Sequence, residues 1–192
     1  MEAMALGSAL LIMDVQRGIV ERFGAPAEYL TRLAAAAGAA RAAGVAVIHV
    51  RVAFRPGHPE VSPRNRAFAA LRAGGAFADA AAASIHPAVG PGPDEVVVTK
   101  LRVSAFTGSD LEVILRAQGI EELVLAGIAT SGVVLSTLRE AADRDYRLAV
   151  LEDACLDADA EVHRVLMQKV FPRQAEVLTV AAWRSRLAPP AG

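Results

Sequence analysis

The sequence has a single cysteine, Cys155, and few aromatic residues, 5% of 192 positions. One thiol excludes an internal disulfide framework, and a chain without such a framework fits a reducing compartment. The shortage of aromatics argues against a base-stacking platform for nucleic acid. The formal net charge is −1 and no run of Lys or Arg forms a stripe, so a phosphate backbone would find no electrostatic footprint. Long hydrophobic runs are missing too. Each apolar stretch is interrupted by Gly, Arg or Asp well short of the ~20 residues that span a bilayer. The opening Met1-Glu2-Ala3-Met4 lacks the basic region that begins a secretory signal. These absences predict a cytoplasmic protein with neither nucleic acid nor membrane as a partner.

Hydrophobic residues make up 54% of the chain and charged residues 21%, with much of the apolar share in alanine. That balance predicts one domain over 1–192, with its core at about 8–187. Short apolar runs at 9–13, 45–52, 95–100, 123–127, 148–151 and 175–179 suit strands buried on both faces. Helical spacing fills most gaps: 29–43 with Gly44 as its stop, 110–118 with Ser109 as its cap and Gly119 as its stop, 131–143 and 160–170. Strands alternating with helices predict a three-layer α/β/α fold with a six-stranded, mainly parallel, Rossmann-like sheet. The stretch 53–94 breaks the rhythm, being rich in proline and glycine yet carrying Ala and Phe at 67–83. A segment of that length inside a compact domain is usually a lid or a subunit contact.

In an open parallel sheet, ligands bind beyond the carboxyl ends of the strands. Asp14 ends the first apolar run and Lys100 the third, and the turn from Gly127 to Val133 leads out of the fourth. Alone, Asp14 reads as a turn or cap residue, Lys100 as a solvated lysine, and the glycines of the turn as packing devices. Converging at one end of a sheet, the two charges would pair in a partly dry cleft. Free backbone N–H groups at the start of the following helix would meet an anion there.

The residues Leu10-Leu11-Ile12-Met13-Asp14-Val15-Gln16, then Val98-Thr99-Lys100 with Ser104-Ala105-Phe106, then Gly127-Ile128-Ala129-Thr130 with Thr137 beyond, resemble the isochorismatase-like hydrolases. That family includes nicotinamidases, N-carbamoylsarcosine amidases and isochorismatases. The resemblance runs from about residue 8 to about 180. It implies an Asp-Lys-Cys triad in which Asp14 and Lys100 match the first two members. It also implies a cis peptide at Ile128-Ala129, with Ile128, Ala129 and Val133 forming an oxyanion-type turn. The nucleophile's place, six residues after Gly127, holds Val133.

A valine cannot attack a carbonyl, so the acyl-enzyme route is closed. Cys155 lies too far along the chain to substitute and reads as a small buried residue. Thr130, Ser131 and Ser136 offer hydroxyls, but in a shifted geometry. The cysteine-free branch of the family cleaves a vinyl ether, with the aspartate as proton donor and water adding to the cation. The chain is therefore expected to be a hydrolase using Asp14 and Lys100 on a small organic acid. The alternative is an inactive family member that binds a small ligand or a partner protein through the old cleft. Gln16, Arg51, Arg102 and Thr130 are the candidate substrate contacts, while Arg55 and Arg64 read as solvated. His49 and His58 lack an aspartate partner at ligand spacing, so no metal and no cofactor are expected, and His49 reads as a hydrogen-bonded core residue. Family habit and the many small apolar residues point to a homo-oligomer.

Overall fold

Every residue from Ser8 to Met13 is buried, as an uninterrupted apolar run must be when helices cover both faces of a sheet. This run is β1 (Ser8–Met13). It is followed by β2 (Ala46–Val52), β3 (Val96–Lys100), β4 (Glu122–Ile128), β5 (Arg147–Leu156) and β6 (Glu176–Leu178). The computed structural model describes residues 7–75 and 80–187. The reading of Met1–Met4 and residues 76–79 of the long segment lie outside them. The six strands form one sheet in the order β3-β2-β1-β4-β5-β6, and each pairing is parallel. The order reverses between β1 and β4, the point at which an open parallel sheet has its crevice beyond the strand ends.

Two apolar cores lie against the sheet. One gathers Tyr29, Leu33, Ala36, Ala37 and Ala40 of α2 (Ala27–Ala42) with Trp183 of α7 (Val180–Leu187). Its buried alanines let α2 sit close to the strands. The other gathers Leu111 and Leu115 of α4 (Leu111–Ala117), Leu138 and Ala141 of α5 (Leu135–Ala142), and Phe171. Three short helices complete the set: α1 (Arg17–Arg22), α3 (Arg66–Ala73) and α6 (Ala160–Val165). Helix α6 begins at Asp159, whose carboxylate accepts from the N–H groups of Glu161 and Val162.

Several local expectations are corrected. The fifth strand does not end at Leu151. After a register shift it continues past Glu152 and Asp153, so that Cys155 lies opposite Gly127 inside β5. Two carboxylates interrupt the apolar run there and hide the continuation. The helix expected from Ser131 is delayed. Residues Thr130–Val134 form a wide π-type turn with Gly132 at φ −98°, ψ −106°, and regular helix starts at Leu135. Ser109 is not the N-cap of α4. Asp110 holds that position, although the Ser109 hydroxyl does accept from Leu111 N–H at 3.2 Å.

Two features hold the crevice. Gly127 sits at φ +145°, where a Cβ would lie 2.1 Å from the Met13 carbonyl oxygen, so only glycine lets β4 approach the end of β1. Gln16 is wholly buried. Its amide donates to Val52 O (3.0 Å) and Ala83 O (2.8 Å) and accepts from Val52 N–H (2.9 Å). One side chain thus ties Ala83 of the long segment to the end of β2, beside the bridge between Gln16 and Ile85. Gln16→Leu leaves these buried backbone groups unsatisfied and should cost about 2 kcal/mol. Chemical denaturation should show a lower midpoint at unchanged slope, and limited proteolysis should cut first within the 53–94 segment. A variant as stable and as protease-resistant as the parent would rule out the tie.

Candidate active site

Asp14 leaves β1 with φ +57°, a left-handed conformation that Asp tolerates better than most residues. Its N–H still donates to Val50 O at 2.8 Å. The chain therefore turns sharply at the carboxylate, which Asp14 places over the crevice. Oδ2 lies 2.9 Å from Lys100 Nζ, and the two side chains are 9% and 2% exposed. The second oxygen, Oδ1, is buried and has no hydrogen-bond partner among the described residues. Burial raises the Asp14 pKa and outweighs the pull of Lys100, the next largest influence, and of Arg22.

The two charges do meet at one end of the sheet, but the strands bearing them are not neighbours. Strand β2 lies between β1 and β3, a separation of about 10 Å. The long lysine side chain spans the end of β2 and also donates to Arg102 O at 2.9 Å. Asp14 and the Gly127 turn do adjoin, because Met13 pairs with Gly127 across the β1–β4 seam. The Ile128–Ala129 peptide is cis. In the turn that follows, Gly132 and Val134 N–H both donate to Ala129 O, at 3.0 and 3.3 Å. Ser131 N–H donates to Asp157 Oδ2 at 2.7 Å. Val133 is 2% exposed and packs in the same cluster as Met13 and Cys155. The Cys155 thiol is buried and pushed up to about 12 by desolvation, so it is inert at neutral pH.

The other residues singled out from the sequence have different work. Gln16 is consumed by the tie described above, with no donor left for a substrate. Arg102 donates to Leu101 O (2.6 Å) and Glu60 O (3.1 Å) and lies over the Phe68 ring at 5.9 Å. It fastens the 53–94 segment to the loop after β3. Arg51 is half-buried, with Nε donating to Thr99 Oγ1 at 3.1 Å. His49 is fully buried, with Nε2 3.0 Å from Glu95 Oε2. Glu95 is itself held at about 2, chiefly by Arg41. His58 faces Phe54 at 5.8 Å between ring centres. Among the described residues no group of three His, Cys, Asp or Glu could hold a metal ion, and no helix is long and apolar enough to cross a membrane.

Thr130, also fully buried, has its hydroxyl 2.8 Å from His163 Nδ1. Sequence reasoning missed His163 and Asp157. A lone histidine on an amphipathic helix and one carboxylate among several in a loop give no signal before the fold brings them to the turn.

The sequence from residue 8 to residue 182 matches the isochorismatase domain model. The chain belongs to the isochorismatase family. It is 34% identical over 190 residues to the isochorismatase family protein YecD of Escherichia coli O157:H7, covering 94% of this chain and 96% of that one. It is 32% identical to the ureidoacrylate amidohydrolase RutB of Methylobacterium radiotolerans, covering 94% and 80%. Among solved structures, a cysteine hydrolase from Pseudomonas syringae pv. phaseolicola 1448A superposes with a TM-score of 0.87 at 26% identity, over 95% of this chain and 93% of that one. Fold and sequence therefore agree that this is a hydrolase-family α/β protein, with Asp14 and the Gly127 turn at its sheet reversal and Lys100 reaching Asp14 from the end of β3.

Proposed function

We propose that this isochorismatase-family protein hydrolyses a small organic acid with Asp14 and Lys100, and without a cysteine nucleophile. The observation that carries the reading is the pair itself: a carboxyl with one oxygen on an ammonium and the other unpartnered. Burial favours the protonated carboxyl, as a proton donor requires. Lys100 orients Asp14 and supplies positive charge beside an anionic substrate. Val133 stands where the resemblance puts the nucleophile, and its isopropyl group leaves no covalent route.

The reaction that fits is cleavage of a vinyl ether. Asp14 delivers its proton to the terminal carbon of the C=C bond. The resulting oxocarbenium ion takes up water at the cationic carbon, and the water's surplus proton returns to Asp14. The hemiketal then collapses to a ketone and an alcohol. Ser131, Gly132 and Val134 already donate within the protein. On this reading an oxyanion formed at the turn is met by backbone N–H groups near Val133, as the resemblance implies. The similarity to RutB favours a second reading, amide hydrolysis by water, with Asp14 in its ionised form as the base. The substrate is a free small molecule under either reading.

A thermal-shift screen separates these readings from that of an inactive binder. Vinyl-ether carboxylic acids, ureido acids and nicotinamide would each be added at about 100 times an expected Kd, where a native-state ligand raises stability by about 2.7 kcal/mol. Hits are then assayed for product by mass spectrometry. A stabilising vinyl-ether acid converted to ketone and alcohol is the expected result. Stabilisation by ureido acids with release of ammonia selects the second reading. Tight binding with no product from any hit overturns both in favour of the binder.

A further inference from the structure

The turn at the site is not self-supporting. Gly132 departs from helical geometry, and the two residues before it are held from outside by a single segment. Thr130 Oγ1 meets His163 Nδ1 at 2.8 Å, and Ser131 N–H meets Asp157 Oδ2 at 2.7 Å. That segment is locally braced. Asp157 Oδ1 accepts from Asp159 N–H (3.4 Å), and Asp159 caps α6. The Ser131–Asp157 contact is a plain charge-assisted bond. The Thr130–His163 contact differs because one partner titrates and the other is completely buried.

We propose that His163 is a positioning residue of the site, holding the Ala129–Val134 turn in place through the Thr130 hydroxyl. This rests on the reading of that turn as part of the active site. When the ring is neutral with its proton on Nε2, Nδ1 accepts the Thr130 O–H. When the ring is charged, Nδ1 becomes a donor, and Thr130 must accept instead. Its own proton then needs a new acceptor where no water reaches, so the turn must shift or the contact must break. The charged groups facing the ring are Asp157 and Glu152, which favour the imidazolium, while burial is the larger influence and favours the neutral ring. On its own helix Glu161 is paired with Arg164 at 2.6 Å, and Thr130 and Ser131 on the turn carry no charge. The neutral ring is therefore the form that holds the turn near pH 7. The hold weakens as the pH falls through the lowered His163 pKa.

The test uses a thiol placed in the turn as a reporter, so no substrate is needed. Val133→Cys is prepared alone and combined with Thr130→Ser, Thr130→Val, His163→Gln, and Thr130→Val with His163→Gln. Alkylation by iodoacetamide is followed from pH 5 to 9 by peptide mass spectrometry. Each variant is first checked for a parent-like circular dichroism spectrum. Thr130→Ser keeps the hydroxyl and should track the Val133→Cys parent. Thr130→Val and His163→Gln should each change the rate about five- to tenfold near neutral pH, the effect of losing one buried hydrogen bond. The Val133→Cys profile should carry a step on the acid side from protonation of His163; each replacement should abolish it, and the double replacement should do no more than either single one.

A purely structural loss would move the rate without removing the acid-side step. A reactive thiol indifferent to all these changes would overturn the proposal. If the reporter is no more reactive than Cys155, the site reading itself has failed, and a second arm decides the inference. Hydrogen exchange of the Ser131 and Val134 amides, without Val133→Cys, should quicken below the His163 transition in the parent and lose that pH dependence in Thr130→Val. Exchange unchanged by Thr130→Val would then refute the hold.

Discussion

Lys100→Met should cost the protein about 3–5 kcal/mol at pH 7.5, the range for stranding one member of a buried ion pair. The Lys100 side chain is 2% exposed and its ammonium meets Asp14 and the Arg102 carbonyl, so water cannot replace it cheaply. The loss should depend on pH in a definite direction. Burial already raises the Asp14 pKa above 3.8 and Lys100 pulls it back down, so removing Lys100 lets it rise further. A folded pKa above the unfolded one means that the native state takes up the proton first. The deficit is thus complete above the folded pKa and shrinks as pH falls through it. Guanidinium melts at pH 5 and 7.5 should therefore differ more between variant and parent at the higher pH. Asp14→Asn combined with Lys100→Met should cost less than the sum of the two single changes. Asp14→Asn alone should reduce turnover of any confirmed substrate by about 10²–10⁴-fold, as expected for loss of a general acid. A Lys100→Met protein within about 1 kcal/mol of the parent at pH 7.5 would mean that no buried ion pair exists at that pH, the pair being exposed or Asp14 already protonated.

Val133→Cys should produce a thiol that reacts with iodoacetamide at least ~100-fold faster at pH 7 than Cys155 does. Cys155 is the right control because both positions are buried, 2% exposed at Val133 and 5% at Cys155. Desolvation raises both thiols and largely cancels in the comparison. What differs is the surroundings. Position 133 lies in the turn that opens α5, where backbone dipoles favour a thiolate, and on the proposed reading Lys100 adds positive charge while Asp14 accepts the proton. At Cys155 burial dominates and Asp153 raises the thiol further, outweighing a backbone hydrogen bond from Gly127 that lowers it. Valine and cysteine are close in volume, so the fold should lose no more than about 1 kcal/mol. Lys100→Met in this background should slow the reaction. Equal rates at the two thiols in a normally folded variant would place residue 133 outside the chemistry and remove the argument for a vacated nucleophile position.

The strands were legible because each is a short apolar run, a pattern that survives burial on both faces. The extension of β5 was not, because Glu152 and Asp153 look like the end of a strand and the register shift that accommodates them is a tertiary event. Asp14 and Lys100 could be picked out since each closes an apolar run with a charge. That they meet across an intervening strand depends on sheet order, which the local pattern does not encode. Gln16 and Arg102 show the opposite limit. Both stand beside the site residues in sequence, and each gives one donor to a backbone carbonyl of the long segment, Ala83 and Glu60, and another to a carbonyl at the end of a strand, Val52 and Leu101. A polar side chain next to a site is equally good at holding a loop and at holding a ligand, and only its partners tell which.

The Gln16 tie has a consequence for how this protein can vary. By fastening Val52 and Ala83 to one side chain, it makes the intervening residues a closed loop whose ends no longer depend on what lies between them. The entropy of closing such a loop grows only with the logarithm of its length, about 0.6 kcal/mol for each doubling. Residues can therefore be gained, lost or exchanged within it while Asp14, set on the rigid β1–β4 seam, keeps its position. The placement of Asp14 and the length of this segment are thereby inherited separately, and the length can change at small thermodynamic cost.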